Sequence, residues 1–116
     1  MNMLMTAIQE IETSAELEKI ISENESVMVS CGRMGPMCIP VYDVMEELTD
    51  ERPEIKFYTI AFDNPQATII RNAPMCNGFM GLPFNVYYKN GEMVKATSSI
   101  QSREQIVSIL DEEFGN

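Results

Sequence analysis

Hydrophobic positions recur along this chain at two spacings, and the change from one to the other marks out its elements. A weak alternation over residues 7–11 predicts a short strand. Thr13 and Glu16 then stand at capping-box distance, and Leu17, Ile20 and Ile21 share one helical face, which predicts a helix to about Glu23. Residues 27–31 form a short run rich in β-branched side chains and read as a buried strand, ended by Gly32, Gly35 and Pro36. A second helix is predicted from near Cys38. Val41, Val44, Met45 and Leu48 fall at i, i+3, i+4 and i+7, while Glu46, Glu47, Asp50 and Glu51 lie off that stripe. Pro40 fits only in the first turn, and Pro53 marks the exit.

The second half continues the pattern. Residues 55–62 read as a strand apolar on both faces, and Asp63, Asn64 and Pro65 as a cap and helix start leading to about Asn72. Residues 73–82 are irregular. Residues 84–88 and 93–97 are strands joined by an Asn90-Gly91 hairpin turn. Ser102 and Gln105 form a second capping box, and Ile106, Ile109, Leu110 and Phe114 complete a terminal amphipathic helix. The order is strand–helix–strand–helix–strand–helix–strand–strand–helix. Early strand–helix–strand units call for right-handed crossovers and parallel strands, and the closing hairpin adds an antiparallel pair. The expected architecture is an α/β domain, a mixed sheet with helices on both faces.

Length and charge narrow the function. At 116 residues the chain is expected to form one domain over residues 1–116. Eight basic against eighteen acidic residues give a net charge of −10, which offers no basic surface for nucleic acid. No apolar run approaches the ~20 residues of a membrane helix. The first ten residues carry no Lys or Arg and no long apolar stretch, so no secretory leader and a cytoplasmic location are expected. The chain contains no histidine, which removes Ser–His–Asp chemistry, His general bases and His-bearing zinc sites. Three cysteines remain, Cys31, Cys38 and Cys76, an odd count that does not suggest a structural disulfide framework.

The element order, with a cysteine at the start of the second helix, resembles thioredoxin over nearly the whole chain. The most specific stretch is Gly81-Leu82-Pro83 followed by Phe84-Asn85-Val86-Tyr87-Tyr88-Lys89-Asn90-Gly91-Glu92, similar to the family's cis-proline, strand and Lys-Asn-Gly turn. Val44 to Glu51 resembles the body of the family's active-site helix, and Asp63-Asn64-Pro65 the end of its central strand. The resemblance implies a thioredoxin-like fold, a mixed sheet of four to five strands flanked by about four helices. It also implies a cis peptide bond at Pro83, and a substrate groove shaped by Leu82 and Pro83.

At the active site the chain departs from the family. In place of Cys-Gly-Pro-Cys it reads Cys31-Gly32-Arg33-Met34-Gly35-Pro36-Met37-Cys38. The helix-body match sets Cys38 on the family's second, resolving cysteine and Gly35 on the nucleophile. Sliding by one aligns Gly35-Pro36 with the family's Gly-Pro and puts Met34 and Met37 on both cysteine positions. The first register is favoured, because the second puts Asp43 on a core position. The flanking tryptophans are absent, and the family's buried Asp is matched by an apolar residue, Met28 or Val29.

The residues support three readings. In the first, Cys31 and Cys38 bracket the Gly/Pro break, face one loop and form an unusual redox pair, with Cys76 as a third thiol able to join either; this is a thiol–disulfide oxidoreductase. Cys38 has the helix N-terminus to stabilise a thiolate, and Arg33, Met34, Gly35, Pro36, Leu82 and Pro83 would contact substrate. The implied partners are a protein disulfide or a protein reductase, with no nucleic acid, membrane or cofactor, and a monomer or weak dimer. In the second, loss of Cys-x-x-Cys leaves a redox-inactive binding module whose groove beside Leu82-Pro83 holds a peptide. In the third, Met34, Met37, Met75 and Met80 join the thiols as soft ligands for Cu(I).

Overall fold

The computed structural model of the chain describes residues 3–115. Strand β1 (Glu10–Ile11) leads to α1 (Ser14–Glu23), β2 (Ser26–Gly32), α2 (Ile39–Glu51) and β3 (Lys56–Ala61). A 3-10 turn (Pro65–Ala67) runs into the short helix α3 (Thr68–Arg71), and a second 3-10 turn (Pro74–Cys76) precedes β4 (Phe84–Lys89), β5 (Glu92–Ser98) and α4 (Arg103–Phe114). The sheet order is β1-β3-β2-β4-β5, with β1, β3 and β2 parallel and the β2–β4 and β4–β5 pairs antiparallel. Sequence-predicted and observed elements agree in number and order, the predicted third helix being split into a 3-10 turn and α3.

Local chemistry explains the boundaries. Ser102 Oγ accepts the Gln105 N–H at 3.2 Å and Gln105 Oε1 accepts the Ser102 N–H at 2.9 Å, a complete capping box. At α1 only half of the box forms. Thr13 Oγ1 accepts the Glu16 N–H at 3.1 Å, but the Glu16 carboxylate turns to the Glu12 N–H instead. Asn90 (φ 53°) and Gly91 (φ 84°) both take left-handed conformations, as a two-residue hairpin turn of this hand requires. The strand expected over residues 7–11 shortens to two residues. Glu10 accounts for this, because its buried carboxylate accepts the Met3 and Leu4 N–H groups, both at 2.9 Å, and folds the preceding segment back.

The sheet divides the core into two layers. On one side Met28, Phe57 and Tyr87 pack with Cys38, Val41, Tyr42, Met45 and Leu48 of α2 and with Ile106 and Leu110 of α4. On the other, Val27, Val29, Cys31, Ile60, Phe84, Val86 and Tyr88 pack with Leu17 and Ile20 of α1 and with Ile70 of α3. Side chains alternate between faces along each strand. That parity decides which cysteine meets which. No helix of the described residues is long and apolar enough to cross a membrane.

Candidate functional site

Beyond Gly32 the chain leaves the sheet and turns into α2 at Cys38. The Gly35 carbonyl accepts the Cys38 N–H (3.1 Å) and the Ile39 N–H (3.0 Å), so one turn forms before the helix proper, with Pro40 in the first helical turn. Cys38 Sγ accepts the Arg33 N–H at 3.4 Å. One helical turn on, the Tyr42 hydroxyl donates to the Arg33 carbonyl at 3.0 Å. Burial raises the Tyr42 phenol well above its ordinary 10.0, and the nearby Cys38 adds to this.

Gly32 is where these groups converge. A Cβ there would lie 2.6 Å from the Tyr42 hydroxyl, 2.8 Å from Cys38 Sγ and 3.0 Å from Pro83 Cβ. Only glycine leaves room for a thiol, a phenol and a proline ring around one Cα. Pro83 arrives from the loop that precedes β4, and the Leu82–Pro83 peptide bond is cis.

Arg33 closes the other side. Its Nε and Nη2 donate to Asp63 Oδ2 and Oδ1, both at 2.8 Å, in a bidentate pair. The Arg33 guanidinium beside it holds the Asp63 carboxyl below the usual carboxylate range. The same guanidinium lies 5.3 Å from the centroid of the Phe62 ring, and Arg71 lies 5.5 Å from that centroid. Arg71 also donates to the Phe62 and Asn64 carbonyls.

The three cysteines are free thiols. The sequence predicts that Cys31 faces Cys38 across the loop. The structure instead places it in the opposite core layer, in one cluster with Cys76. The reason is strand parity: β2 runs on to Gly32, so Cys31 follows Val27 and Val29 onto the α1–α3 side. Burial pushes the Cys31 thiol up to about 12; Arg71 pulls it back, while Cys76, Cys38 and Asp63 push it further up. Burial raises the Cys76 thiol as well. The Tyr88 hydroxyl in this layer is buried without a hydrogen-bond partner among the described residues.

The remaining predicted contacts divide by exposure. Arg33, Met34, Pro36 and Met37 are exposed, Gly35 is half-buried, and Leu82 is half-buried against both core layers. Met75 and Met80 are also exposed, Met80 to 95%. Met34 Sδ accepts the Met5 N–H at 3.4 Å. Among the described residues no group of three or more cysteine and acidic side chains is placed to hold a metal ion. Met28 and Val29, matched to the family's buried Asp, are fully buried and apolar. Within β2 the polar Ser30 is fully buried, and its hydroxyl donates to Asn85 Oδ1 at 2.9 Å.

Sequence reasoning missed Tyr42, Phe62, Asp63 and Arg71. Only Tyr42 left a usable trace, standing four residues after Cys38 and so on the same helical face.

The backbone can be compared with known folds as a whole. Plasmodium falciparum thioredoxin superposes with a TM-score of 0.75 at 20% identity, covering 91% of this chain and 99% of that one. Chlamydomonas reinhardtii thioredoxin f2 gives 0.76 at 12% identity, covering 95% and 99%. The chain has the thioredoxin fold. Saccharomyces cerevisiae mitochondrial thioredoxin 3, in its oxidised form, matches at 0.75 with 15% identity over 91% and 95% of the two chains. No family model and no curated protein sequence matches the chain. The likeness is one of thioredoxin architecture, and the chemistry rests on this chain's own residues.

Proposed function

We propose that this thioredoxin-fold chain carries out thiol–disulfide exchange through one thiol, Cys38. The observation that carries the reading is the position of Cys38 Sγ. It lies at the N-terminus of α2, accepts the Arg33 N–H, and meets Tyr42 and Pro83 over Gly32. Backbone N–H groups at a helix start suit a sulfur that carries negative charge.

In this reading the Cys38 thiolate attacks one sulfur of a protein disulfide. A bond forms between Cys38 Sγ and that sulfur, the substrate S–S bond breaks, and the departing half leaves as a thiolate that takes up a proton. Cys31 and Cys76 lie in the other core layer, so a thiol from outside the chain resolves the mixed disulfide. Per substrate disulfide reduced, two external thiols are oxidised to one disulfide. The partners are accordingly a protein disulfide and a thiol reductant.

A second reading, peptide binding without turnover, is favoured by a different observation. No thiol is more than 3% exposed, and the half-buried Gly35 offers no sulfur. Reduction of a peptide disulfide by excess small thiol separates the two. Exchange predicts that Cys38→Ser loses at least tenfold in rate while Cys31→Ala and Cys76→Ala stay within about twofold. Equal rates in all four proteins, with peptide binding retained in the triple variant, select the second reading.

A further inference from the structure

Cys38 is 3% exposed, so exchange at its sulfur needs an opening, and the need for one rests on the exchange reading of Cys38. Arg33 touches the sulfur through its backbone N–H, and three of its own groups are tied down. Its side chain pairs bidentately with Asp63. Its carbonyl receives the Tyr42 hydroxyl, and its N–H rests on Cys38 Sγ itself. A fourth, weaker tie runs from the neighbouring Met34 Sδ to the Met5 N–H. Past Met34 the chain is held to α2 again, because the Gly35 carbonyl accepts the Cys38 and Ile39 N–H groups. Gly35 has no heavy atom within 4 Å of where a Cβ would stand, so no packed side chain restrains it from outside, and Pro36 and Met37 are exposed.

We infer that Arg33 and Met34 form a lid over Cys38, hinged at Gly35, and that Tyr42 and Asp63 are the positioning residues that hold it shut through Arg33. Lifting Arg33 removes its N–H from the sulfur and opens the face that Pro83 borders. The ties are of a strength that permits this. The Arg33–Asp63 pair is half-exposed on both sides, so water and salt weaken it. The Tyr42 bond goes to a carbonyl on an exposed residue, which water can satisfy once the lid is up. Such a segment opens locally, without unfolding of the core layers on either side. The charged and titratable groups acting on this corner include Glu10 of β1, Cys31 of β2, Arg33 of the lid, Asp63 after β3 and Arg71 of α3.

The test is native-state alkylation at one fixed pH, with each cysteine followed by peptide mass mapping. Cys31 and Cys76, buried in the other layer, serve as controls in the same molecule. Tyr42→Phe keeps the ring and removes the tie, and should speed alkylation of Cys38 about fivefold, the factor that one net hydrogen bond represents. Asp63→Asn should speed it about twofold to threefold, and about 1 M salt should erase that difference while leaving the Tyr42→Phe effect. The double variant should reach about tenfold. The rates of Cys31 and Cys76 should not change. Unchanged Cys38 rates in both variants overturn the lid, and so does equal acceleration of all three cysteines, which reports general loosening. The two proposals fail separately. Faster Cys38 alkylation without exchange activity in any variant keeps the lid and removes the exchange reading; exchange with unchanged alkylation does the reverse.

Discussion

Above pH 9 the protein should lose stability steeply, with Cys31 as the first group responsible. Its thiol is pushed from the ordinary 9.0 up to about 12 by burial. The folded state therefore prefers the neutral thiol more strongly than the unfolded chain does. A raised value of this kind contributes stability that is fully present below pH 9 and is lost as pH rises toward 12. A displacement from 9.0 to about 12 amounts to about 4 kcal/mol at ~1.4 kcal/mol per pH unit. Against a typical total of ~5–15 kcal/mol, that is a large share. Cys76 acts with the same sign. Burial also raises Tyr42, Tyr87 and Tyr88 above their ordinary 10.0, so their part begins to be lost above pH 10. Urea denaturation at a series of pH values should show stability flat up to about pH 8 and falling progressively from pH 9. Cys31→Val, close in volume and unable to ionise, should reduce the fall between pH 9 and pH 10. A wild-type curve that stays flat through pH 10 would contradict the burial assigned to Cys31.

Gly32→Ala and Gly35→Ala should have opposite effects, although the two positions lie three residues apart. At Gly32 the added methyl meets the Tyr42 hydroxyl, Cys38 Sγ and Pro83 at 2.6, 2.8 and 3.0 Å. Those groups are fixed by α2 and by the loop before β4, so relief requires the site itself to shift. Overpacking of this kind costs ~1–3 kcal/mol, and the melting temperature should fall by roughly 4 °C or more for each kcal/mol. The same shift should change the alkylation rate of Cys38 while leaving that of Cys76 alone. At Gly35 nothing lies within 4 Å of the new methyl and φ is not left-handed. Loss of backbone freedom in the unfolded chain should then leave Gly35→Ala neutral or up to ~1 kcal/mol more stable. Equal destabilisation by both substitutions would show that Gly32 is not the crowded position described.

Elements are legible in this sequence wherever a local rule fixes them. Thr13 and Ser102 announce helix starts, Asn90-Gly91 the hairpin, and the spacing of Val41, Met45 and Leu48 the core stripe of α2. The edges of that stripe differ from the periodic pattern. Tyr42 is buried and Val44 only partly so, because the face that receives α2 is set by Cys38 and the loop beneath it. The site is less legible for the same kind of reason. Cys31 and Cys38 look paired along the chain, but one residue of strand parity sends them to opposite layers. Asp63 reads as a helix cap; its partner Arg33 lies thirty residues away in sequence, a separation that no periodicity reports. Ser30 and Asn85 meet across neighbouring strands, fifty-five residues apart, and equally escape a linear reading.

Cys38 is the thiol that reacts in this account, and Cys31 is not its partner. Trapping tests this most directly: the reduced protein is treated with one equivalent of a peptide disulfide, quenched with acid and mapped by mass spectrometry. A mixed disulfide confined to Cys38, with Cys31 and Cys76 recovered as free thiols, is the predicted result. An internal Cys31–Cys38 disulfide, or an adduct on Cys31 or Cys76 with Cys38 untouched, would contradict it.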